Sequence, residues 1–398
     1  MSSTQYALAI LSALSLFLIA CDRSDDRLTE LRLLELTSRN STLESQLKSV
    51  TAIVKELEAK EPHGTLQRVI SEPAVFHEGG DTLQLVRNRK TLRCGGNADL
   101  PGFGFLSPDT SEFQGFDIDI CRAIAAAALG EKGANQIDVL PLTSKLRFAA
   151  LQSGRIDVLT RNTTWTLSRD TEHRADYAGI TFYDGQGVLV RVDSDIRKVS
   201  DLRSKAVCVQ SGSTSAANIV EHFAQLGLPI ELRDFSDRIA ALKQYKEGGC
   251  DGYTADSSSL VAQRTLLPEP GNHVVLVDDI SREPLGPVVR HNDPNWKDIV
   301  NWTVQCLLNA EALDISQSNL HERMLDQSVA VKRLLGIDFK LGEKMGIAND
   351  FCYQIISQVG NYKDIYNRHL GPDSQFNLPR GLNALHTDGG ILYPLPFK

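Results

Sequence analysis

The stretch Ile137-Asp138-Val139-Leu140, Phe148-Ala149-Ala150-Leu151, Gly154 and Ile156-Asp157-Val158-Leu159 reads as strand, helix, glycine stop and strand. The chain then repeats it: Ile230-Glu231-Leu232 is followed by Ile239-Ala240-Ala241-Leu242, Gly249 and Cys250-Asp251-Gly252-Tyr253. From strand start to the aspartate after the glycine is 20 residues in the first copy and 21 in the second. A glycine supplies the left-handed residue that commonly ends a helix. Each copy is therefore a strand–helix–strand unit with its strands parallel. Two such units predict an α/β molecule of two lobes with a cleft between them.

Both copies change character at the same place. Five residues past Asp157 lies Asn162, within Thr160-Arg161-Asn162-Thr163-Thr164, and five past Asp251 lies Asp256, within Thr254-Ala255-Asp256-Ser257-Ser258. Polar groups at the carboxyl ends of parallel strands are where α/β sheets hold ligands. Taken singly, each run also suits an ordinary turn or helix cap; their pairing across two lobes favours a ligand site. A further strand, Ala206-Val207-Cys208-Val209-Gln210, enters a helix through Ser211-Gly212-Ser213-Thr214-Ser215. Free amides at such a helix start suit a carboxylate or phosphate. The matching entry in the first lobe, Gly115-Phe116-Asp117-Ile118-Asp119-Ile120-Cys121, is apolar and acidic and reads as structural.

Composition removes several alternatives. Of 398 residues, 42 are Lys or Arg and 50 are Asp or Glu, a net charge of −8, so no basic face for nucleic acid is expected. The nine His form no zinc-spaced motif, and neither a phosphate-binding glycine loop ending in Lys-Ser/Thr nor a Gly-x-Ser-x-Gly elbow occurs. No metal, no cofactor and no catalytic group is expected.

The N-terminus indicates export. Tyr6 to Ala20 is an uncharged run of 15 residues, too short for a membrane span and suited to a secretory core segment. It ends in Leu18-Ile19-Ala20-Cys21-Asp22, which resembles a bacterial lipobox and implies cleavage before Cys21 and acylation of that residue. Residues 1–20 are then a lipoprotein signal peptide, although Met1 to Gln5 carry no basic residue. Residues 21–64 are expected to form a coiled-coil-like stalk: Leu36, Leu43, Val50 and Leu57 recur every seven residues, with Leu33, Leu47 and Val54 in the second heptad position. A helix there would reach about 55 Å at 1.5 Å per residue. A lone amphipathic helix or a partly disordered spacer fits the same pattern equally well.

Seven cysteines leave an even six if Cys21 takes lipid, as expected in an oxidising compartment. Six cysteines allow 15 pairings. Cys94 with Cys121, Cys208 with Cys250, and Cys306 with Cys352 each fall inside one predicted unit and are favoured. Cys306 and Cys352 read equally well as buried thiols.

Several stretches resemble the extracytoplasmic substrate-binding proteins of polar amino-acid ABC transporters, in particular their general L-amino-acid branch. They are G-F-D-I-D-I-C-R-A-I-A-A-A at 115–127, A-L-Q-S-G-R-I-D-V-L-T-R-N-T-T-W-T-L-S-R-D at 150–170 and T-F-Y-D-G-Q-G at 181–187. Others are E-P-L-G-P-V-V-R at 283–290, V-G-N-Y at 359–362 and R-G-L-N-A-L at 380–385. The resemblance implies a two-lobed periplasmic binding protein of type II, a Venus-flytrap. Lobe 1 would comprise residues 65–188 and 284–398 and lobe 2 residues 189–283, the last 80 residues packing on lobe 1.

It also implies roles. Arg169 grips the ligand α-carboxylate and Asp256 pairs with the α-ammonium, while Asn162 and Thr164 add hydrogen bonds. Ser213 and Thr214 close on the carboxylate from the second lobe. Arg161 either faces the ligand side chain, favouring acidic or amide substrates, or is a structural ion-pair partner. Where relatives stack an aromatic ring on the ligand, this chain has Leu100, with Phe103 nearby. The expected activity is capture of L-amino acids and delivery to an ABC permease and its ATPase. The expected location is the periplasmic side of the inner membrane, held by the N-terminal lipid. A sensing subunit for a membrane receptor or histidine kinase, or an enzyme on the same fold, are the alternatives.

Overall fold

The computed structural model describes residues 80–398; the signal segment, Cys21 and the heptad region lie outside the described residues. Helix α1 (Thr82–Arg89) leads into strand β1 (Leu92–Gly96). A small antiparallel sheet of β2 (Asp99–Leu100), β3 (Gly104–Leu106) and β4 (Phe113–Gln114) follows, then helix α2 (Phe116–Leu129) and strand β5 (Ile137–Pro141). Helix α3 (Arg147–Gln152), strand β6 (Val158–Leu159), helix α4 (Leu167–Thr171) and strand β7 (Ala175–Tyr177) come next. The chain continues through β8 (Phe182–Arg191), β9 (Ala206–Gln210), α5 (Thr214–Gln225), β10 (Glu231–Phe235), α6 (Arg238–Lys246), β11 (Gly252–Asp256), α7 (Ser257–Arg264) and β12 (His273–Leu285). It returns through β13 (Val288–Arg290) and α8 (Pro294–Ala312), and the later helices include α9 (Phe351–Val359) and α10 (Tyr362–His369).

Two five-stranded sheets form, one in each lobe, with orders β5-β1-β6-β13-β7 and β10-β9-β11-β8-β12. The repeated units supply β5 and β6 in one sheet and β10 and β11 in the other. The strands of each unit are parallel but do not touch, because β1 and β9 lie between them. The aspartate after each glycine now has a structural reason. Asp157 accepts the Arg93 amide at 2.8 Å and Asp251 the Ala206 amide at 2.9 Å, so each fixes the start of its central strand. The second helix stop differs from expectation. α6 runs to Lys246 with Glu247 as cap, which puts the left-handed residue at Gly248 (φ +81°) rather than Gly249; Gly154 (φ +72°) holds the matching place.

Disulfides tie these layers. Cys94 on β1 joins Cys121 on α2, and Cys208 on β9 joins Cys250 just ahead of β11. Cys306 on α8 joins Cys352 on α9. Helix α2 is buried nearly all round, as its apolar, alanine-rich sequence requires, and packs against α8, α9 and α10. Its acidic residue Asp119 receives Arg122 and Arg368 at 2.7 Å each and His369 at 2.6 Å. Burial alone would raise the Asp119 pKa, but the His369 hydrogen bond and these charges hold it well below the usual carboxylate range. The last segment also reaches the junction between lobes: Tyr362 Oη donates to Thr181 O at 2.7 Å, and Asn383 bonds the Tyr183 amide and carbonyl at 2.6 and 3.0 Å.

Candidate functional site

The cleft is built where strands end and helices begin. From lobe 1 come the first residue of α3, Arg147, and the loop after β6 leading into α4. From lobe 2 come the Ser211–Ser213 turn after β9, the first residue of α6, Arg238, and the end of β11. The lobes approach closely here. Gly212 (φ +75°) sits where an added Cβ would lie 3.0 Å from Lys145 Cγ, so a larger residue would be strained and crowded. The cavity between the lobes measures about 30 Å3.

Asn162 and Asp256, the equivalent positions of the two repeats, meet directly: Asn162 Nδ2 donates to Asp256 Oδ2 at 2.6 Å. A relay continues from there across the cleft. Asn97 Nδ2 donates to Asn162 Oδ1 at 3.0 Å, and Arg238 Nη2 donates to Asn97 Oδ1 at 3.0 Å. Arg169, buried at the start of α4 behind the Thr166 cap, donates from Nη1 to the Thr164 carbonyl at 2.8 Å. The hydroxyls of Thr164 and Thr214 both donate to Glu283 Oε2, the latter at 3.0 Å. Ser213 Oγ donates to the Gln210 carbonyl at 2.6 Å, within its own turn.

Arg161 is buried and donates to the Leu142 carbonyl at 3.1 Å and Ser144 Oγ at 3.3 Å, and none of its contacts among the described residues is a direct ion pair. Ser144 in turn donates to Gln210 Oε1 at 3.2 Å on the opposite lobe. Leu100 and Phe103 do not line the cleft. Both are buried in the lobe 1 core, where Phe103 packs edge-on against Phe116 and Phe182. The ring that does face the cavity is Tyr253 on β11.

Four guanidinium groups, of Arg147, Arg161, Arg169 and Arg238, line the cavity against the single carboxylate of Asp256. Burial lowers Arg147 well below its ordinary value, with Arg169 and Arg161 adding like-charge repulsion. Burial, then the nearby Arg238, lowers Arg161 to about 9. Asp256 is shifted up by burial and by the negative charge of Glu283, and Asp184 by burial and by Asp256. Asp117, buried behind Arg161, rises to about 7 through loss of hydration. Two of these four arginines carry a buried N–H group without a partner, Nε of Arg147 and Nη1 of Arg238. Such groups cost stability unless something anionic meets them.

Sequence reasoning missed Arg147, Arg238 and Glu283. For the arginines a signal was present, since the repeat reads R-F-A-A-L at 147–151 and R-I-A-A-L at 238–242. Asp170, Asp176 and His291 bring ligand atoms within 4.8 Å of one another, but Lys297 already occupies Asp176 at 3.0 Å, and none of the three lines the cleft.

The description "Bacterial extracellular solute-binding proteins, family 3" matches residues 92–319 of this chain. The chain belongs to that family. Its family-3 relatives include the glutamate/glutamine/aspartate/asparagine-binding protein BztA of Rhodobacter capsulatus, 40% identical over 80% of this chain and 93% of that one. The general L-amino acid-binding periplasmic protein AapJ of Rhizobium johnstonii is 41% identical over the same shares, 80% and 93%. Among solved structures, a periplasmic binding protein of an ABC transporter from Brucella ovis, with glutathione bound, superposes with TM-score 0.78. It is 41% identical and is covered in full by 80% of this chain. Family 3 is thus a family of binding proteins, and its two-lobed architecture is the one seen here.

Proposed function

We propose that this chain captures L-amino acids between its lobes and delivers them to an ABC permease driven by its ATPase, from the periplasmic side of the inner membrane. Lobe 2 corresponds to about residues 189–283, and β8 and β12 are the two crossings. The observation that carries the reading is a cleft in which a buried guanidinium of one lobe and a buried carboxylate of the other flank one small cavity. An α-amino acid presents the complementary pair of charges. Either charge taken from water unpaired would cost several kcal/mol.

In this reading Arg169 holds the α-carboxylate, joined by the amides that open α5, which starts without a side-chain cap. Asp256 holds the ammonium, with Asn162 and Thr164 beside it. Arg161 and Arg238 face the ligand side chain, which suits a carboxylate or amide there. BztA and AapJ, named for acidic, amide and general L-amino acids, support this choice. A 30 Å3 cavity holds about one water, so entry requires the lobes to part. The Cys21 lipid and the 21–64 stalk would keep the body near the permease.

Calorimetric titration of the purified chain with the twenty amino acids and with glutathione tests the proposal. Binding of L-glutamate or L-glutamine, with no binding of the corresponding amines or unsubstituted carboxylic acids, is expected. No binding of any amino acid would defeat it. Labelling with a radioactive fatty acid that is lost in Cys21→Ser tests the anchor.

A further inference from the structure

The cleft contains a carboxylate that its lining hides. Glu283 sits on β12 beside the crossing between lobes, 2% exposed and in register with Asp184 on β8. It has no basic group within ion-pair distance among the described residues. Its four partners are all neutral. Oε1 receives Asn218 Nδ2 at 2.7 Å and Ser281 Oγ at 2.6 Å. Oε2 receives the hydroxyls of Thr164 and Thr214. The backbone holds this arrangement from both sides. The Thr164 loop is zipped to the end of β12, Trp165 N donating to the Pro284 carbonyl at 2.9 Å. Thr214 and Asn218 lie one turn apart on the same face of α5.

From this we infer that Glu283 is a positioning residue that sets the hydrogen-bond polarity of the cleft and thereby selects a ligand ammonium. A carboxylate only accepts, and a hydroxyl has one proton to give. Both threonine protons are therefore directed at Glu283 Oε2. The two hydroxyl oxygens, 3.4 Å apart, keep only lone pairs for the cavity they line. Two acceptors beside the Asp256 carboxylate form a set that a three-proton ammonium satisfies and a hydroxyl group does not. The polarity also revises the role expected for Thr214: its side chain cannot donate to the ligand carboxylate, leaving only the helix-start amides to do so.

The inference rests on the amino-acid reading for its ligand, but part of its test does not. L-Glutamate and (S)-2-hydroxyglutarate, which differ only in ammonium against hydroxyl, are titrated into wild type and Glu283→Gln. The glutamine amide can donate to the threonine oxygens and free their protons to turn toward the ligand. The preference for L-glutamate should then fall by about tenfold or more, the range for replacing a good polar contact by a mismatched one. Equal weakening of both ligands, with the ratio unchanged, would mean that Glu283 merely supports the fold and would overturn the inference. Neutron diffraction from deuterium-exchanged wild-type crystals gives a readout independent of any ligand and of the variant's folding. Deuterons of Thr164 and Thr214 on the Glu283 side are expected, and either one directed into the cavity defeats the claim. A wild type that binds no amino acid while keeping both deuterons on Glu283 would instead count against the amino-acid reading alone.

Discussion

The two strand–helix–strand units share their pattern and an Arg-x-Ala-Ala-Leu helix start, yet they use that arginine in opposite ways. In lobe 1, Arg147 stays at home. Its Nη1 donates to Thr163 at 3.3 Å in the same lobe, and its guanidinium lies over the neighbouring Phe148 ring at 5.1 Å. In lobe 2, Arg238 crosses the cleft to Asn97 at 3.0 Å and to Asp99 at 3.6 Å. Its helix is anchored for the purpose: Asp237 caps α6 by accepting the Ala240 amide at 2.8 Å, whereas the cap position of α3 is Leu146, with no side-chain bond. Duplicated architecture thus yields one wall whose arginine stays within its lobe and one whose arginine reaches across the cleft. The ligand's contacts need not be symmetric merely because the units are.

The largest expected effect breaks the charge pair that spans the comparison. Arg169→Ala and Asp256→Ala should each lower amino-acid affinity by about two to four decades, because a buried charge loses its partner at a cost of about 3–5 kcal/mol. Titration calorimetry checks this, with circular dichroism confirming that the variants remain folded. Near-native affinity in either would show that the ends of the ligand are held elsewhere.

Next come the disulfides, which tie the same register position of the two central strands to different partners. Removing Cys94–Cys121 or Cys208–Cys250 by paired serine substitution should cost about 2–4 kcal/mol, the closed loop of 42 residues toward the upper end and that of 27 below it. Denaturant melts give both values, and no loss in either would contradict the pairing.

The arginines themselves sharpen the contrast. Arg238→Met should weaken L-glutamate by about one to two decades, the loss of hydrogen bonds from a charged donor, while changing thermal stability little. Arg147→Met should leave the preference among amino acids intact and be neutral or stabilising, since a buried guanidinium with an unpartnered N–H is replaced by an apolar chain. Equal shifts in selectivity from both variants would dissolve the distinction.

The smallest effect is a divergence with pH. Asp117, Asp184 and Asp256 all titrate above the ordinary carboxylate value near 4, so the folded chain binds more protons than the unfolded one below neutrality. As pH falls from 7 to 5, unliganded stability should rise, because protonation relieves buried charge. Affinity for an amino acid should fall over the same interval, at most about tenfold per pH unit, because Asp256 must be ionised to meet an ammonium. Thermal melts and titrations at matched pH check both slopes, and parallel slopes would be inconsistent with Asp256 at the ammonium end.

Much of the fold was legible because it depends on short-range pattern. The two units, the Gly154 stop and the strand-to-helix turn at 210–214 are local features with local physical causes, whereas the second stop fell one residue early, at Gly248 rather than Gly249. The meeting of Asn162 with Asp256 was legible only through the repeat, which marked two distant positions as equivalent. Glu283 was not legible as a cleft residue, since 119 positions separate it from Thr164 and only the pairing of the Thr164 loop with β12 joins them. Arg147 and Arg238 were overlooked for another reason. An arginine opening a helix usually points to solvent, and nothing in the spacing says that both fall on the cleft side. Leu100 and Phe103 went the opposite way, both buried in the lobe 1 core, where Phe103 packs on Phe116 and Phe182.

The two crossings have a mechanical consequence. β8 and β12 do not pass between the lobes as separate strings. They are hydrogen-bonded to each other there, Glu283 opposite Asp184, Pro284 opposite Tyr183 and Leu285 opposite Phe182. A two-stranded ribbon resists sliding along its ladder and shearing in its plane, yet bends readily across its face. In the closure proposed above, such a strap would serve as a hinge with one favoured bend. One end of the strap is screwed down. Tyr362 grips Thr181 and Asn383 grips both backbone groups of Tyr183, all on the lobe 1 side. Just beyond that anchor lies Gly185, where an added Cβ would meet only the Ser281 carbonyl at 3.5 Å, so the strap would have room to bend there. The long C-terminal segment supplies no residue to the cavity lining, yet it anchors the lobe 1 end of this strap.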